Sequence, residues 1–263
     1  MNTKTDNLRA ILSSYGKLAV AFSGGVDSSV LLACAAETLG IQNVLAVRVD
    51  TPFMPSREKE IARSVCRVLN IRLSEIELAI PSDLENNPKG RCYLCKLTLF
   101  KAIANEAKKN GFDILADGTN ADDSQDDRPG MRAIEELCIK SPLRESGLGK
   151  KEIREIAGKY KLETAEHPAD SCLLTRLPMG RKIEPEKLVL IDNAENFLRD
   201  LGYSFVRVRV MGDDARIELE PEDISNFVLG GNTKVAFKRL KEMGFNHVSL
   251  DLGGYKMGSM NQA

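Results

Sequence analysis

The chain has 263 residues and a formal net charge of −1, from 37 Lys and Arg against 38 Asp and Glu. That balance argues against a protein whose main work is gripping nucleic acid through its phosphates, and the length allows one large or two modest domains. No run approaches the ~20 apolar residues of a membrane span, and residues 1–16, with Lys4, Asp6 and Arg9, lack the apolar stretch of a secretory signal, so a soluble cytoplasmic enzyme is expected. In chain order, residues 17–22 read as a buried strand, followed by a glycine turn and a helix over 28–39 that Gly40 closes. Residues 44–49 are a second strand, 56–69 a helix with Ile61, Val65 and Val68 on one face, and 72–78 a third strand. A loop to residue 90 leads to a helix over 96–109, a strand over 112–116 and a polar, acidic loop over 122–129. A helix over 131–137, a short run at 139–143 and a helix over 150–160 complete the alternation, which predicts an α/β fold with a doubly wound parallel sheet.

Beyond residue 180 the pattern changes. Helix 185–201, strands 204–210 and 215–219 around Gly212-Asp213-Asp214, a largely helical 221–243 and a strand at 247–252 predict a small α+β domain. The expected division is 1–180 and 181–263.

The motif Ser23-Gly24-Gly25-Val26-Asp27-Ser28-Ser29 lies directly between a strand and a helix. Backbone N–H groups of such a turn form an anion nest, and the helix N-terminus adds roughly half a positive charge at the same point. Ser23, Ser28 and Ser29 add hydroxyl donors. The chain lacks the Lys of a G-x-x-x-x-G-K-[ST] loop and a G-x-G-x-x-G fingerprint, which excludes those two nucleotide modes. Asp27 is either a simple helix-start residue or a carboxylate that works through Mg²⁺ beside a triphosphate. The string resembles the PP-loop ATP pyrophosphatases, which cleave ATP to AMP and pyrophosphate. The likeness extends to Asp117-Gly118-Thr119-Asn120 at a strand end, and to Ser141-Pro142-Leu143 followed by Lys150-Lys151-Glu152-Ile153-Arg154. Strand C-termini line the ligand crevice of an open α/β sheet, which predicts that Asp117, Gly118 and Thr119 approach the nucleotide.

Six cysteines without an export signal point to a reducing compartment, and two histidines, His167 and His247, exclude a histidine-cluster chemistry. Cys34, Cys66 and Cys138 lie among apolar neighbours and are expected in the core. Cys92 and Cys95, in Arg91-Cys92-Tyr93-Leu94-Cys95-Lys96, precede a predicted helix whose N–H groups can lower a thiol pKa. Cys172 follows Asp170-Ser171, and Arg176 could stabilise its thiolate. These three can hold an iron–sulfur cluster with one open iron, a zinc ion closed by His167, or remain free or redox thiols.

The PP-loop, the C-x-x-C, Asp126-Asp127-Arg128-Pro129-Gly130, Cys172-Leu173-Leu174-Thr175-Arg176-Leu177-Pro178-Met179-Gly180, the Arg207-Val208-Arg209 strand, Ala215-Arg216-Ile217-Glu218 and Leu250-Asp251-Leu252-Gly253-Gly254-Tyr255 together resemble the LarE family, in order along nearly the whole chain. Its members are ATP-dependent sulfur transferases of nickel-pincer cofactor biosynthesis. The resemblance implies that ATP adenylates a carboxylate of pyridinium-3,5-biscarboxylic acid mononucleotide and that a sulfur nucleophile displaces AMP to leave a thiocarboxylate. One branch of the family sacrifices the cysteine that matches Cys172. In another, Cys92, Cys95 and Cys172 match ligands of a [4Fe-4S] cluster that carries an extra sulfide, and this chain has that three-cysteine pattern. The sulfide source is left open, and a homo-oligomer, with a hexamer among the candidate forms, is implied.

Arg207 and Arg209, two apart on a strand, share one face. Like charges side by side need an anion or carboxylates; by themselves the residues favour a solvated edge with salt bridges, and the family resemblance implies substrate phosphate, with Glu218 as the neighbouring carboxylate. Met211 departs from the polar residue that the family resemblance implies after this strand. Lys96 and Arg176 are further anion-handling candidates with Cys172 and Asp27 in the catalytic set, and Tyr93 is the candidate stacking residue, because the chain has no Trp. Two alternatives stand beside this reading. One is a PP-loop tRNA thiolase, which the charge balance disfavours, and the other is a non-catalytic ATP-binding protein with structural zinc.

Overall fold

The structure, a computed structural model, describes residues 3–124, 128–166 and 170–256. Asp126, Asp127 and His167, cited above for a motif and a zinc site, lie outside the described residues.

Strands β1 (Leu18–Ala21), β2 (Val44–Asp50), β3 (Arg72–Glu77) and β4 (Leu115–Ala116) form a four-stranded parallel sheet in the order β3-β2-β1-β4. Leu18 pairs with Val44 and Ala19 with Leu115. Both faces are covered, which is why the central strands read as continuous apolar runs. Leu18, Val20 and Phe22 pack on one side with α1 (Thr3–Ser13), α2 (Val26–Leu39), α3 (Ser56–Val68) and α7 (Lys150–Lys159). Ala19, Leu45, Val47 and Val49 pack on the other with α4 (Arg91–Lys109) and α5 (Arg128–Glu136). Each such fully buried Leu, Val or Phe side chain contributes about 1.5–3 kcal/mol. The expected doubly wound α/β class is therefore what the chain adopts.

Several expectations need correction. The run at 139–143 is a single bridge, Ala116 to Lys140, because Pro142, which lacks an N–H, opens the short helix α6 (Pro142–Glu145). Helix α4 starts at Arg91 instead of 96, since Gly90 stands at its N-cap, so Cys92 and Cys95 lie inside its first turns. Helix α1 was not expected. Cys34 and Cys66 are in the core, but Cys138 is exposed with φ +54° just past α5.

The chain divides into two compact units: residues 1–51, 56–81 and 90–169, and residues 52–55, 82–89 and 170–263. Segment 170–180 thus groups with the second unit, not with the first as the expected boundary had it. The reasons are local: Leu173 N–H donates to the Phe53 carbonyl at 2.9 Å, and buried Asn87 Nδ2 donates to the carbonyls of Leu174, Leu177 and Pro178. The second unit also holds α8 (Pro185–Asp200), β5 (Val206–Met211), β6 (Asp214–Leu219), α9 (Pro221–Leu229), α10 (Asn232–Met243) and β7 (Val248–Leu250). Its sheet runs β5-β6-β7, antiparallel then parallel. The helical stretch after Pro221 is two helices, parted at Gly231 with φ +81°. No described helix is long and apolar enough to cross a membrane.

Candidate functional site

The Ser23–Ser29 segment leaves β1 and opens α2, with Gly25 as N-cap. The N–H groups of the first helical turn have no intrahelical partners and converge on one point. Ser23 Oγ accepts the Gly25 N–H at 3.2 Å and lies 3.2 Å from Ser28 Oγ. Together they border a cavity of about 240 Å³ lined by Ala21, Ser23, Gly25, Asp27, Ser28, Phe100, Asp117, Gly118, Thr119 and Asp123. Gly24 and Ser29 are not in that lining. At Gly24, φ is +92° and a Cβ would stand 2.8 Å from the Glu58 carbonyl, so this glycine lets α3 approach. Ser29 is fully buried and its hydroxyl donates to the Gly25 carbonyl at 2.9 Å. Gly118 lies so close to the turn that a Cβ would meet Ser28 N at 2.8 Å.

Acidic side chains line the cavity from three places: Asp27 in the first turn of α2, Asp117 just past β4, and Asp123. Asp117 Oδ1 accepts from Ser141 Oγ at 2.7 Å and its Oδ2 from Thr119 Oγ1. Burial pushes the Asp117 carboxyl up, against these bonds and the nearby charge of Lys96. Asp27 Oδ2 accepts from Lys150 Nζ at 2.5 Å, while its buried Oδ1 accepts no hydrogen bond among the described residues. Burial raises the Asp27 carboxyl too, and Lys150 pulls it only partly back. An orphaned, buried carboxylate oxygen beside a phosphate turn fits Mg²⁺, which commonly takes one or two carboxylates and completes its shell with phosphate oxygens.

Cys92 is exposed and Cys95 half-buried, three residues apart on one face of α4. Tyr93 between them is committed to α5: its hydroxyl donates to Glu136 Oε2 at 2.7 Å, and the Arg132 guanidinium lies 4.9 Å from its ring centre. Phe100, two turns along α4, is the aromatic that borders the nucleotide cavity. Two thiols on one turn suit two corners of an iron–sulfur cluster. Neither unit alone holds three candidate thiols, since Cys172 belongs to the second, and among the described residues no group of three or more His, Cys, Asp or Glu is placed to hold a metal.

The Cys172 turn rests on buried charge. Arg176, fully buried, donates through Nη1 to Ser171 O and Oγ, Cys172 O and Thr175 Oγ1, and through Nε and Nη2 to Glu195 at 2.8 and 2.9 Å. This arginine holds the turn from beneath. Arg209 donates to the Thr175 carbonyl at 2.7 Å and to Glu218 Oε2 at 2.9 Å, and Arg207 pairs with Asp170 at 3.1 Å. Both arginines are buried, so the solvated-edge alternative does not apply. The Arg207 guanidinium lies 4.4 Å from the Phe205 ring centre, and Glu218 also accepts from Arg216 at 3.2 Å.

Sequence reasoning did not single out Asp123 or Phe100, and named Lys150 only within a motif. It also passed over Arg48, buried on β2, which donates to the Ser23 carbonyl at 2.5 Å and steadies the turn. An arginine in an otherwise apolar strand was the available signal for it.

A glycine turn between the central strand and a helix, crossed at Gly118 by the next strand's loop, defines a PP-loop nucleotide-binding domain. Residues 1–87 match the NAD synthase family. Over its whole length the chain is 37% identical to an uncharacterised protein of Synechocystis sp., covering 98% of it, and it is 35% identical to one of Methanocaldococcus jannaschii, covering 91% of each chain. It is 33% identical to the pyridinium-3,5-bisthiocarboxylic acid mononucleotide synthase of Lactiplantibacillus plantarum, over 98% of this chain and 94% of that one. The chain belongs to the family of that synthase, the LarE family.

Proposed function

We propose that the protein is an ATP-dependent sulfurtransferase that converts a carboxylate of pyridinium-3,5-biscarboxylic acid mononucleotide to a thiocarboxylate, releasing AMP and pyrophosphate. The observation that carries this reading is the phosphate turn and its cavity, in a chain related end to end to a synthase whose named product is a bisthiocarboxylic acid. A carboxylate resists sulfur nucleophiles because it has no good leaving group. Attack of its oxygen on the α-phosphorus of ATP expels pyrophosphate, and a sulfur nucleophile then displaces AMP from the carbonyl carbon.

Ser23, Gly25, Ser28 and the first-turn N–H groups of α2 receive the phosphates, with Gly24 and Ser29 shaping the turn and Asp117, Gly118 and Thr119 forming the opposite wall. Mg²⁺ at Asp27 would supply charge neutralisation for the leaving pyrophosphate. Lys96 adds positive charge beside the Asp117 wall. Arg207 and Arg209, the latter oriented by Glu218, hold the phosphate of the pyridinium nucleotide, and Arg176 presents Cys172. A [4Fe-4S] cluster on Cys92, Cys95 and Cys172 would supply an open iron at which sulfide can be delivered, which leaves the polypeptide intact between turnovers. Cytoplasmic location and homo-oligomeric assembly belong to the same proposal.

The test is anaerobic incubation of iron- and sulfide-reconstituted protein with ATP and the biscarboxylate nucleotide, followed by mass spectrometry of the small molecules and the polypeptide. Repeated formation of thiocarboxylate and AMP with an unchanged chain mass is expected. One product per chain with loss of one sulfur from Cys172 would make that residue the donor. ATP left uncleaved and no thiocarboxylate would refute the reading.

A further inference from the structure

Lys150 is the first residue of α7, and its backbone N–H donates to Asp122 Oδ2 at 2.7 Å. The turn around Asp122 and the start of α7 are bound backbone to backbone, since Ala121 N–H donates to the Leu148 carbonyl at 2.8 Å. At Gly149 they approach so closely that a Cβ would stand 2.7 Å from Asp122 Oδ2. From this anchored position the Lys150 ammonium meets two carboxylates that line the nucleotide cavity, 2.5 Å from Asp27 Oδ2 and 3.6 Å from Asp123 Oδ1. The remaining oxygens are differently placed. Asp123 Oδ2 accepts from Asn120 N and Nδ2 at 3.1 and 2.7 Å, while Asp27 Oδ1 is buried and accepts nothing among the described residues.

One monovalent cation therefore stands between the two carboxylates best placed to receive a divalent one. Mg²⁺ demands oxygen ligands at about 2.0–2.1 Å and gives up its water reluctantly, so it must displace the ammonium before it can use Asp27. Displacement is unfavourable while Lys150 has, among the described residues, no anion beyond this pair to meet. A triphosphate changes both sides of this balance, because its oxygens complete the metal's shell and offer the lysine a new partner.

We propose that Lys150 is a resident counter-cation that closes the Asp27–Asp123 pair to divalent metal until a nucleotide enters, so that metal and nucleotide load together. The inference rests on the ATP-binding part of the function proposed above and is independent of the sulfur chemistry.

The test is titration of nucleotide-free protein with Mn²⁺, read as loss of the free-ion electron paramagnetic resonance signal. Wild type is expected to bind weakly, Lys150→Met to bind about tenfold more tightly, a change of about 1.4 kcal/mol, and Lys150→Met with Asp27→Asn to return to wild-type weakness. Lys150→Gln, which also removes the charge, gives the same reading if the Met variant fails to fold. A gain below about threefold, or a gain that survives Asp27→Asn, overturns the inference. Repeating the titration with a non-hydrolysable ATP analogue separates the two claims. If wild type binds neither analogue nor Mn²⁺ under any condition, the nucleotide reading fails; if it binds both and Lys150→Met changes nothing, only the counter-cation role fails.

Discussion

Arg176 and Glu195 form a bidentate ion pair in which neither side chain reaches solvent, with Nε–Oε1 at 2.8 Å and Nη2–Oε2 at 2.9 Å. The same carboxylate accepts the Val208 N–H at 2.9 Å and Arg199 Nη2 at 3.0 Å, so it ties α8, β5 and the Cys172 turn to one another. Removing one partner of a buried pair leaves the other charge uncompensated, which typically costs about 3–5 kcal/mol. Glu195→Ala is expected to destabilise the protein by that amount in urea unfolding. A loss of less than about 1 kcal/mol would mean the turn is held by other contacts.

The same pair makes the protein acid-sensitive. Burial alone would raise the Glu195 carboxyl, but Arg176, with Arg199 and Arg207, outweighs it and holds the group below its ordinary 4.5. A carboxyl depressed in the folded state contributes stability that is complete above the unfolded value and is lost as pH falls through the folded one. From this group, Tm should stay level from neutral pH to about 4.5 and decline below it. Glu195→Gln should lower Tm at neutral pH and flatten the acid decline. Equal acid slopes in the two proteins would contradict the assignment.

Gly118→Ala tests the nucleotide cavity. The added Cβ would lie 2.8 Å from Ser28 N and 3.1 Å from Ser28 Cα, backbone atoms that cannot turn aside as a flexible side chain can. ATP affinity measured by calorimetry should fall by more than about tenfold, equivalent to 1.4 kcal/mol. Unchanged affinity would show that the 117–119 loop yields freely.

Thiol labelling divides the cysteines by burial. Burial pushes the Cys34 thiol up to about 11 and the Cys66 thiol up to about 12, which leaves little thiolate to react. Cys92 and Cys138 are exposed. In metal-free native protein at pH 8, iodoacetamide should modify Cys92 and Cys138 first, with Cys34 and Cys66 protected until denaturant is added. Peptide mass spectrometry reads the order, and early modification of Cys34 would reveal opening of the α2 face.

The phosphate turn was legible because its parts are neighbours in the chain, a buried strand, two glycines and a helix start in direct succession. Strands β1 and β2 were legible for a related reason, since a parallel strand covered on both faces must be apolar along its length. Cys138 was misread because an apolar neighbourhood in sequence does not say where a helix stops, and α5 ends just before it. The bond from the Tyr93 hydroxyl to Glu136 was not legible, because that partner comes from another helix that no local pattern announces. The expected boundary at 180 missed two short inserts, 52–55 and 82–89, that join the second unit. Such interleaving leaves no mark in composition.

The sequence by itself determined the fold class, the nucleotide turn and the family, because these depend on periodicity or on short motifs whose order along the chain can be read directly. Tertiary structure alone decided which charges meet: Lys150 with Asp27, Arg176 with Glu195, Arg209 with Glu218. A charged side chain needs a partner once water is excluded, but that partner can come from anywhere in the chain. Only packing the sheets and helices together selects one.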